Sequence, residues 1–462
     1  MASAHRWHLI AGGAAALLAL ASPEAFSAPA FTSKACPAPF VKARARCGTV
    51  TVPENYAAPN GRRIGLNVIV FEARKPSKPK AAQFDLEGGP GFAMTDSAVF
   101  YAGEGAPYRE TRDVVLVDMR GTGASKPLRC EGIAAYERAK PLGMMYPTAL
   151  VRECAEQLSK SADVRQYSTA NASRDIESVR QALGYAQVDL NAVSYGTTLA
   201  LRYITDYPSR VRTAVLAGSV PASKTPPRYH ALVAERGIDL LFKACAADAD
   251  CAKRYPTLPA DLEQALAKLD PELRPIFLEK VRTQLYHPAT SRGVPAFIHQ
   301  TAEGDLTLLN APTPQVRRFS DGVYLSITCA ESFARSEVDE WIADAKMSHF
   351  GSYRIVRQRE ACGEWPEAPA DPKLLSTGRS QLPVLFISGA LDPVTPPEWT
   401  VELMASFPNG KHLIIPEGAH SVEGLSGVES CLDRITLEFV AAKSLEGIDT
   451  ACVAGMRAGP YR

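Results

Sequence analysis

Two runs near the start of the chain, Gly48-Thr-Val-Thr-Val-Pro53 and Arg63-Ile-Gly-Leu-Asn-Val-Ile-Val-Phe71, alternate apolar and polar residues. A period of two is what half-buried antiparallel strands need, because successive side chains point to opposite faces. Pro59-Asn60-Gly61 between them signals a turn, so the two runs read as a hairpin. Beyond Lys80 the alternation gives way to short apolar runs: Gln83 to Leu86, Val114 to Val117, Val188 to Val193, Thr213 to Ala217, Pro383 to Ile387 and His412 to Pro416. Runs of this kind suit parallel strands buried on both faces.

Helical segments separate these runs. Asp175 to Gly184 sets Ile176, Val179 and Leu183 on one face, and Gly184 is placed to end the helix. Gly196 to Tyr207 carries Leu199, Leu201 and Ile204 towards a core. Strand and helix in alternation predict a mostly parallel, doubly wound α/β sheet. The stretch 221–381 breaks the rhythm, being long, helix-prone and charged. It falls between two strands of the sheet, at the edge where open α/β sheets bind ligands. The expected organisation is therefore a signal at 1–28, a core from 29–220 and 382–462, and a mainly helical cap at 221–381.

The strongest chemical signal is Ala192-Val193-Ser194-Tyr195-Gly196, directly after a buried strand and before a helix. A serine on such a strand-to-helix turn is an exposed nucleophile, provided its neighbours are small. Ala192 stands where the usual pattern has glycine. The partners of such a serine follow in the order acid, then histidine, each at a strand's C-terminal end. Asp392 follows the run ending at Gly389 and opens the turn Asp-Pro-Val-Thr-Pro-Pro397. Of the eight histidines, His412 and His420 follow Asp392, and His412 opens its strand at the wrong end. His420, in Glu417-Gly-Ala-His-Ser421, is the expected base. Glu87-Gly88-Gly89-Pro90-Gly91 can aim backbone N–H groups at an oxyanion, together with the N–H of Tyr195. Asp118, in Asp118-Met-Arg-Gly-Thr-Gly-Ala-Ser125, precedes Ser194 and reads as a structural Asp–Arg turn.

Composition narrows the function classes. The chain has 462 residues, 46% of them hydrophobic and 22% charged, with 51 basic residues against 50 acidic ones. A net charge near +1 offers no electrostatic footprint for nucleic acid or a membrane surface. A small ester, an amide or a peptide is the expected partner. The start of the chain reads as an export signal: His5, Arg6 and His8, then an apolar run from Leu9 to Ala21 and small-residue cleavage sites. No later apolar segment is long enough to span a bilayer, so no stable membrane insertion is expected once the signal is removed.

All ten cysteines lie beyond the signal, and the even number suits disulfides in an oxidising compartment. They fall into neighbours along the chain: Cys36 and Cys47, Cys130 and Cys154, Cys245 and Cys251, Cys329 and Cys362, Cys431 and Cys452. Neighbour pairing is the expectation, although spacing alone does not determine connectivity. A zinc site is disfavoured, since the chain has no CxxC and no close Cys/His cluster.

Taken together, the Gly-Gly-Pro-Gly turn, the Asp118 to Ser125 loop, the Ser-Tyr-Gly elbow, the late Asp and His, and Cys47-Gly-Thr-Val-Thr-Val-Pro-Glu-Asn-Tyr56 resemble one family. It is the proline iminopeptidase and tripeptidyl aminopeptidase group of secreted α/β-hydrolases. The resemblance implies a triad of Ser194, Asp392 and His420, an oxyanion hole at Gly91 and Tyr195, and neither metal nor organic cofactor. Members often hold the substrate's amino group with cap carboxylates, a role that falls on Glu331 in Thr328-Cys-Ala-Glu331; the alternative for Glu331 is a surface glutamate beside a disulfide. Glu87 departs from the histidine that many members carry before the glycines. The expected function is an exported serine aminopeptidase, periplasmic or secreted. Its rivals are an esterase or lactonase with the same triad, and an inactive hydrolase-shaped binding protein.

Overall fold

The computed structural model describes residues 29–311, 319–369, 371–375 and 377–462; the expected signal at 1–28 lies outside them. Nine strands form one sheet: β1 (Phe31–Lys34), β2 (Ala45–Pro53), β3 (Arg63–Phe71), β4 (Ala82–Leu86), β5 (Asp113–Val117), β6 (Val188–Val193), β7 (Val211–Ala217), β8 (Val384–Gly389) and β9 (Gly410–Ile415). Their spatial order is β1-β2-β3-β5-β4-β6-β7-β8-β9. The pairs from β1 through β3 to β5 are antiparallel, and every later pair is parallel. The expected hairpin is β2–β3. Strands β4, β5 and β8 are buried along their whole length, as the apolar runs of β5 and β8 require; β4 buries Gln83 and Asp85 as well, hydrogen-bonded to each other.

Strand β1 has no apolar alternation and was not legible in the sequence. It is recruited by pairing with β2, and it lies so close that a Cβ at Gly48 would meet the Phe31 ring at 2.4 Å and Thr32 O at 2.5 Å. Glycine inside a strand commonly marks such an approach. Helix α1 (Thr169–Leu183) begins six residues before the apolar periodicity does. Its start is a local hydrogen bond: the Ser168 hydroxyl accepts from Asn171 N. It ends as predicted, with Gly184 left-handed at φ +75°. Helix α2 (Tyr195–Asp206) follows β6 without a linker beyond Ser194.

Between β7 and β8 the chain runs through helices that include α3 (Pro226–Ala247), α4 (Arg274–Gln284), α5 (Val294–Glu303), α6 (Asp321–Glu331) and α7 (Tyr353–Gly363). Ile238, Leu241, Phe277, Phe297 and Trp341 form a second apolar cluster, which Tyr461 near the end of the chain joins. Helix α6 is different: Val323, Leu325 and Ile327 join Leu128, Tyr146 and Tyr167 in the cluster that packs on the sheet. The insertion is thereby anchored to the sheet through α6. Five disulfides are present, Cys36–Cys47, Cys130–Cys154, Cys245–Cys251, Cys329–Cys362 and Cys431–Cys452. The fourth ties α6 to α7.

Candidate active site

The parallel register sets Leu86 of β4 beside Ala192 of β6, so the glycine-rich turn and the serine turn leave neighbouring strand ends together. Ser194 sits at φ +56°, ψ −128°, between the end of β6 and the start of α2. A side chain at positive φ costs about 1–3 kcal/mol, and the surrounding contacts must hold it there. They do: Ser194 N donates to Ala217 O at 2.9 Å, and Thr197 N and Oγ1 donate to Ser194 O at 2.8 and 2.6 Å. At Gly196 a Cβ would lie 2.2 Å from Leu86 O, so glycine is obligatory there. Ala192 is an ordinary strand residue paired with Leu86 and Leu216, which explains why a methyl group is tolerated in place of the usual glycine.

Asp392 follows β8 and is 1% exposed. Its Oδ1 accepts from Val394 N (2.7 Å) and Thr395 N (2.8 Å); its Oδ2 accepts from Thr395 Oγ1 (2.7 Å) and faces His420 Nδ1 at 2.9 Å. Three protein donors and the imidazole thus fix the orientation of the buried carboxylate. His420 Nε2 lies 3.0 Å from Ser194 Oγ. With Nδ1–H donating to the carboxylate, Nε2 is left as an acceptor for the serine proton. The loops bearing Asp392 and His420 meet at Gly389, where a Cβ would strike Ala419 O at 2.1 Å. The structure thus brings together three residues up to 226 positions apart in the chain.

The insertion reaches this constellation. Tyr286 packs edge-on against the His420 ring, centroids 5.3 Å apart. Ser421 N donates to Tyr286 O (3.0 Å), Ala289 N donates to Glu423 O (3.2 Å), and His287 Nδ1 lies 2.6 Å from Ser421 Oγ. Neither Tyr286 nor Thr395 was anticipated. Thr395 carried a readable signal, since an Asp followed three residues later by Thr forms a local capping turn. Tyr286 carried none.

The amide of Tyr195, at the first position of α2, has no carbonyl of its own helix to bond. In the glycine loop, Gly88 abuts the nucleophile: its Cβ position is 2.9 Å from Ser194 Cβ. The Gly88 N–H, however, donates to Glu87 Oε1 at 2.9 Å, and Pro90 has no N–H. Gly89 and Gly91 retain amides for an oxyanion. Gly91 packs against Phe319 and Ser320, and its carbonyl accepts from Ser320 N at 3.0 Å.

Glu331 is buried rather than a surface residue. Its Oε1 accepts from Thr169 N (2.7 Å) and its Oε2 from Thr169 Oγ1 (2.6 Å), and that hydroxyl lies 2.8 Å from Tyr195 OH. The Tyr195 phenol is pushed well above its ordinary pKa by burial and then by the Glu331 charge. Asp118 accepts from Asn67 Nδ2, Thr95 N, Thr95 Oγ1 and Ala124 N at 2.8–2.9 Å, while Arg120 forms a two-pronged pair with Asp175 at 2.7 Å. That loop is scaffolding. His412 Nε2 is 2.9 Å from Ser388 Oγ on the adjoining strand.

With this geometry in hand, comparison with known proteins is informative. Residues 86–422 match the α/β hydrolase fold family. A tripeptidyl aminopeptidase of Streptomyces lividans is 26% identical over 459 residues, covering 88% of this chain and 83% of that protein. Serine protease Hip1 of Mycobacterium tuberculosis is 25% identical, covering 87% of this chain and 85% of that one. A protein named carboxylesterase B from the same organism is 26% identical, covering 88% and 86%. The family match begins at the end of β4, before the glycine loop, and runs past His420; the chain therefore belongs to the α/β hydrolase fold family and is a serine hydrolase.

Proposed function

We propose that this serine hydrolase is an exported aminopeptidase that releases N-terminal residues or short peptides through an acyl-enzyme. The hydrogen-bond line from Ser194 Oγ through His420 to Asp392, at 3.0 and 2.9 Å, supports the hydrolytic chemistry, and the resemblance to tripeptidyl aminopeptidase supports the peptidase reading. In the first half-reaction Ser194 Oγ attacks the scissile carbonyl carbon while its proton passes to His420 Nε2. The C–N bond breaks and His420 returns that proton to the leaving amine. A water then attacks the ester, gives its proton to His420, and frees the acid product as Ser194 is reprotonated. Asp392 holds the imidazole tautomer and stabilises the imidazolium.

The Tyr195 amide, with the Gly91 or Gly89 amide, supports the oxyanion; each such donor contributes about 3–4 kcal/mol in the transition state. Glu331 is the proposed partner of the substrate's ammonium group. Its carboxylate accepts from Thr169 N and Thr169 Oγ1, and that hydroxyl lies 2.8 Å from Tyr195 OH, next in the chain to Ser194. Segment 221–381 acts as the cap, over a core of 29–220 and 382–462. The five disulfides support a periplasmic or secreted location, reached through the signal at 1–28.

An esterase remains the second reading, favoured by the resemblance to carboxylesterase B. Incubating the mature protein with aminoacyl and peptidyl arylamides beside simple aryl esters separates the two. Cleavage of both arylamide classes is expected; ester cleavage with no amide cleavage refutes the peptidase. A fluorophosphonate probe should label the protein and fail to label Ser194→Ala.

A further inference from the structure

The insertion holds two guanidinium groups that share one carboxylate. Arg354 of α7 donates from Nε to Glu279 Oε2 at 3.1 Å, and Arg282 of α4 approaches the same oxygen from Nη1 at 3.9 Å. Arg282 is 2% exposed, its Nη2 is 2.9 Å from His230 Nδ1, and its Nε has no hydrogen-bond partner among the described residues. His230 does not offset the charge, since burial and the two arginines hold its pKa well below the ordinary value and leave it neutral. Within the set Arg282, Arg354, Glu279 and His230 one positive charge is in excess, with Asp321 and Glu137 further off, coupled to Tyr146 as Arg354 is.

The place of this charge is informative. The Tyr286 ring lies between the Arg282 guanidinium, 5.2 Å from its centroid, and the His420 ring, 5.3 Å away. Tyr286, Tyr146 and Tyr324 all lie within electrostatic range of Arg354. Tyr324 packs on Phe319, and Phe319 packs on Phe92 beside the glycine loop. Arg282 is thus one ring away from His420, and Arg354 is near both that ring and the aromatic run that leads to the glycine loop. Arg354 keeps 19% of its side chain accessible, so it can meet a ligand. A partly accessible guanidinium near the ring that packs on His420 suits an anionic end of the substrate, above all a carboxylate.

We propose that Arg354, backed by Arg282, receives the free C-terminal carboxylate of a short peptide, so that the substrate class is the small unblocked peptide. The inference rests on the hydrolase reading above, because the leaving fragment begins at the amine that His420 protonates. The two ring steps of 5.3 and 5.2 Å bring the Arg282 guanidinium within roughly 10 Å of the imidazole, and Arg354, held to the same Glu279 oxygen at 3.1 Å against 3.9 Å, lies at most roughly 7 Å further, a reach of a few extended residues at about 3.3–3.6 Å each.

The test compares matched peptides, with one to five residues after the scissile bond, as free acids and as C-terminal amides. In the wild-type protein kcat/KM should favour the acid by roughly ten- to a hundredfold, the scale of a hydrogen bond to a charged group. That preference should peak at one length of leaving fragment and fall for longer ones, because extended-chain geometry fixes the reach. In Arg354→Gln the acid-to-amide ratio should fall towards one, and Arg354→Lys should restore part of it. Equal rates for acid and amide in the wild type overturn the inference, whatever becomes of the variants. A ratio retained in an Arg354→Gln protein that still labels with fluorophosphonate overturns it as well. Wild-type protein that cleaves amides without preferring acids leaves the hydrolase reading standing; wild-type protein that neither labels nor cleaves removes both.

Discussion

Gly196→Ala tests the geometry on which the site depends. The added methyl carbon would lie 2.2 Å from Leu86 O, 2.7 Å from Leu86 C and 2.9 Å from Glu87 O, all of them backbone atoms that no rotamer change can move aside. Ordinary contact begins near 3.4 Å, so the end of β4 and the start of α2 must separate by about 1 Å. The end of β4 leads into the glycine loop, and the start of α2 carries Ser194 and the Tyr195 amide. The separation therefore shifts the nucleophile against its oxyanion donors. Overpacking of this kind costs about 1–3 kcal/mol of stability. A misplacement near 1 Å costs on the order of a hundredfold in rate. The assay is kcat/KM on an aryl ester together with the rate of fluorophosphonate labelling, with thermal melting followed in parallel. Ala192→Gly is the control: its methyl group is accommodated within the strand, so the cost is about 0.5–1 kcal/mol of stability and the rate stays close to wild type. A Gly196→Ala protein with wild-type labelling and melting would refute the reasoning.

Two further predictions concern stability. Asp85 is buried in β4, accepts from Gln83 Nε2 at 2.8 Å and from Tyr101 OH, and is pushed up to about 6 by burial. The native chain keeps this proton where the unfolded chain has lost it, so stability should fall as pH rises from about 4 to about 6, by on the order of 3 kcal/mol. Asp85→Asn should flatten the urea midpoint across that window; Asp321, pushed up to about 7 by burial, adds a slope of the same sign that the variant leaves in place. Cys329 and Cys362 are 33 positions apart, and replacing both with serine should remove about 3–4 kcal/mol of loop-closure stabilisation, read as a lower melting temperature.

Where a sequence signal was local, it translated into structure almost residue for residue. The alternation at Arg63 to Phe71 became β3 and the apolar run at Val188 to Val193 became β6, with the same ends. Burial on one face or two is written directly in such patterns. Elements held by polar contacts were less legible. β1 depends on a partner strand, and the first turn of α1 is built from small polar residues capped by Ser168, so hydrophobicity marked neither.

The order Ser194, Asp392, His420 and their positions past strand ends were legible because chain direction in a parallel sheet puts every such end on one edge. Tertiary structure decided what stands around them. Gly88 abuts Ser194, because the neighbouring strands β4 and β6 set which part of the loop reaches it. Glu331 is buried against Thr169 because α6 leaves the insertion and packs on the sheet. Tyr286 meets His420, and Arg282 meets Tyr286, in a segment whose local pattern says nothing of what it covers. A periodicity reports that a face is buried; which distant residues meet there depends on strand register and helix docking, and these exist only once the chain has closed.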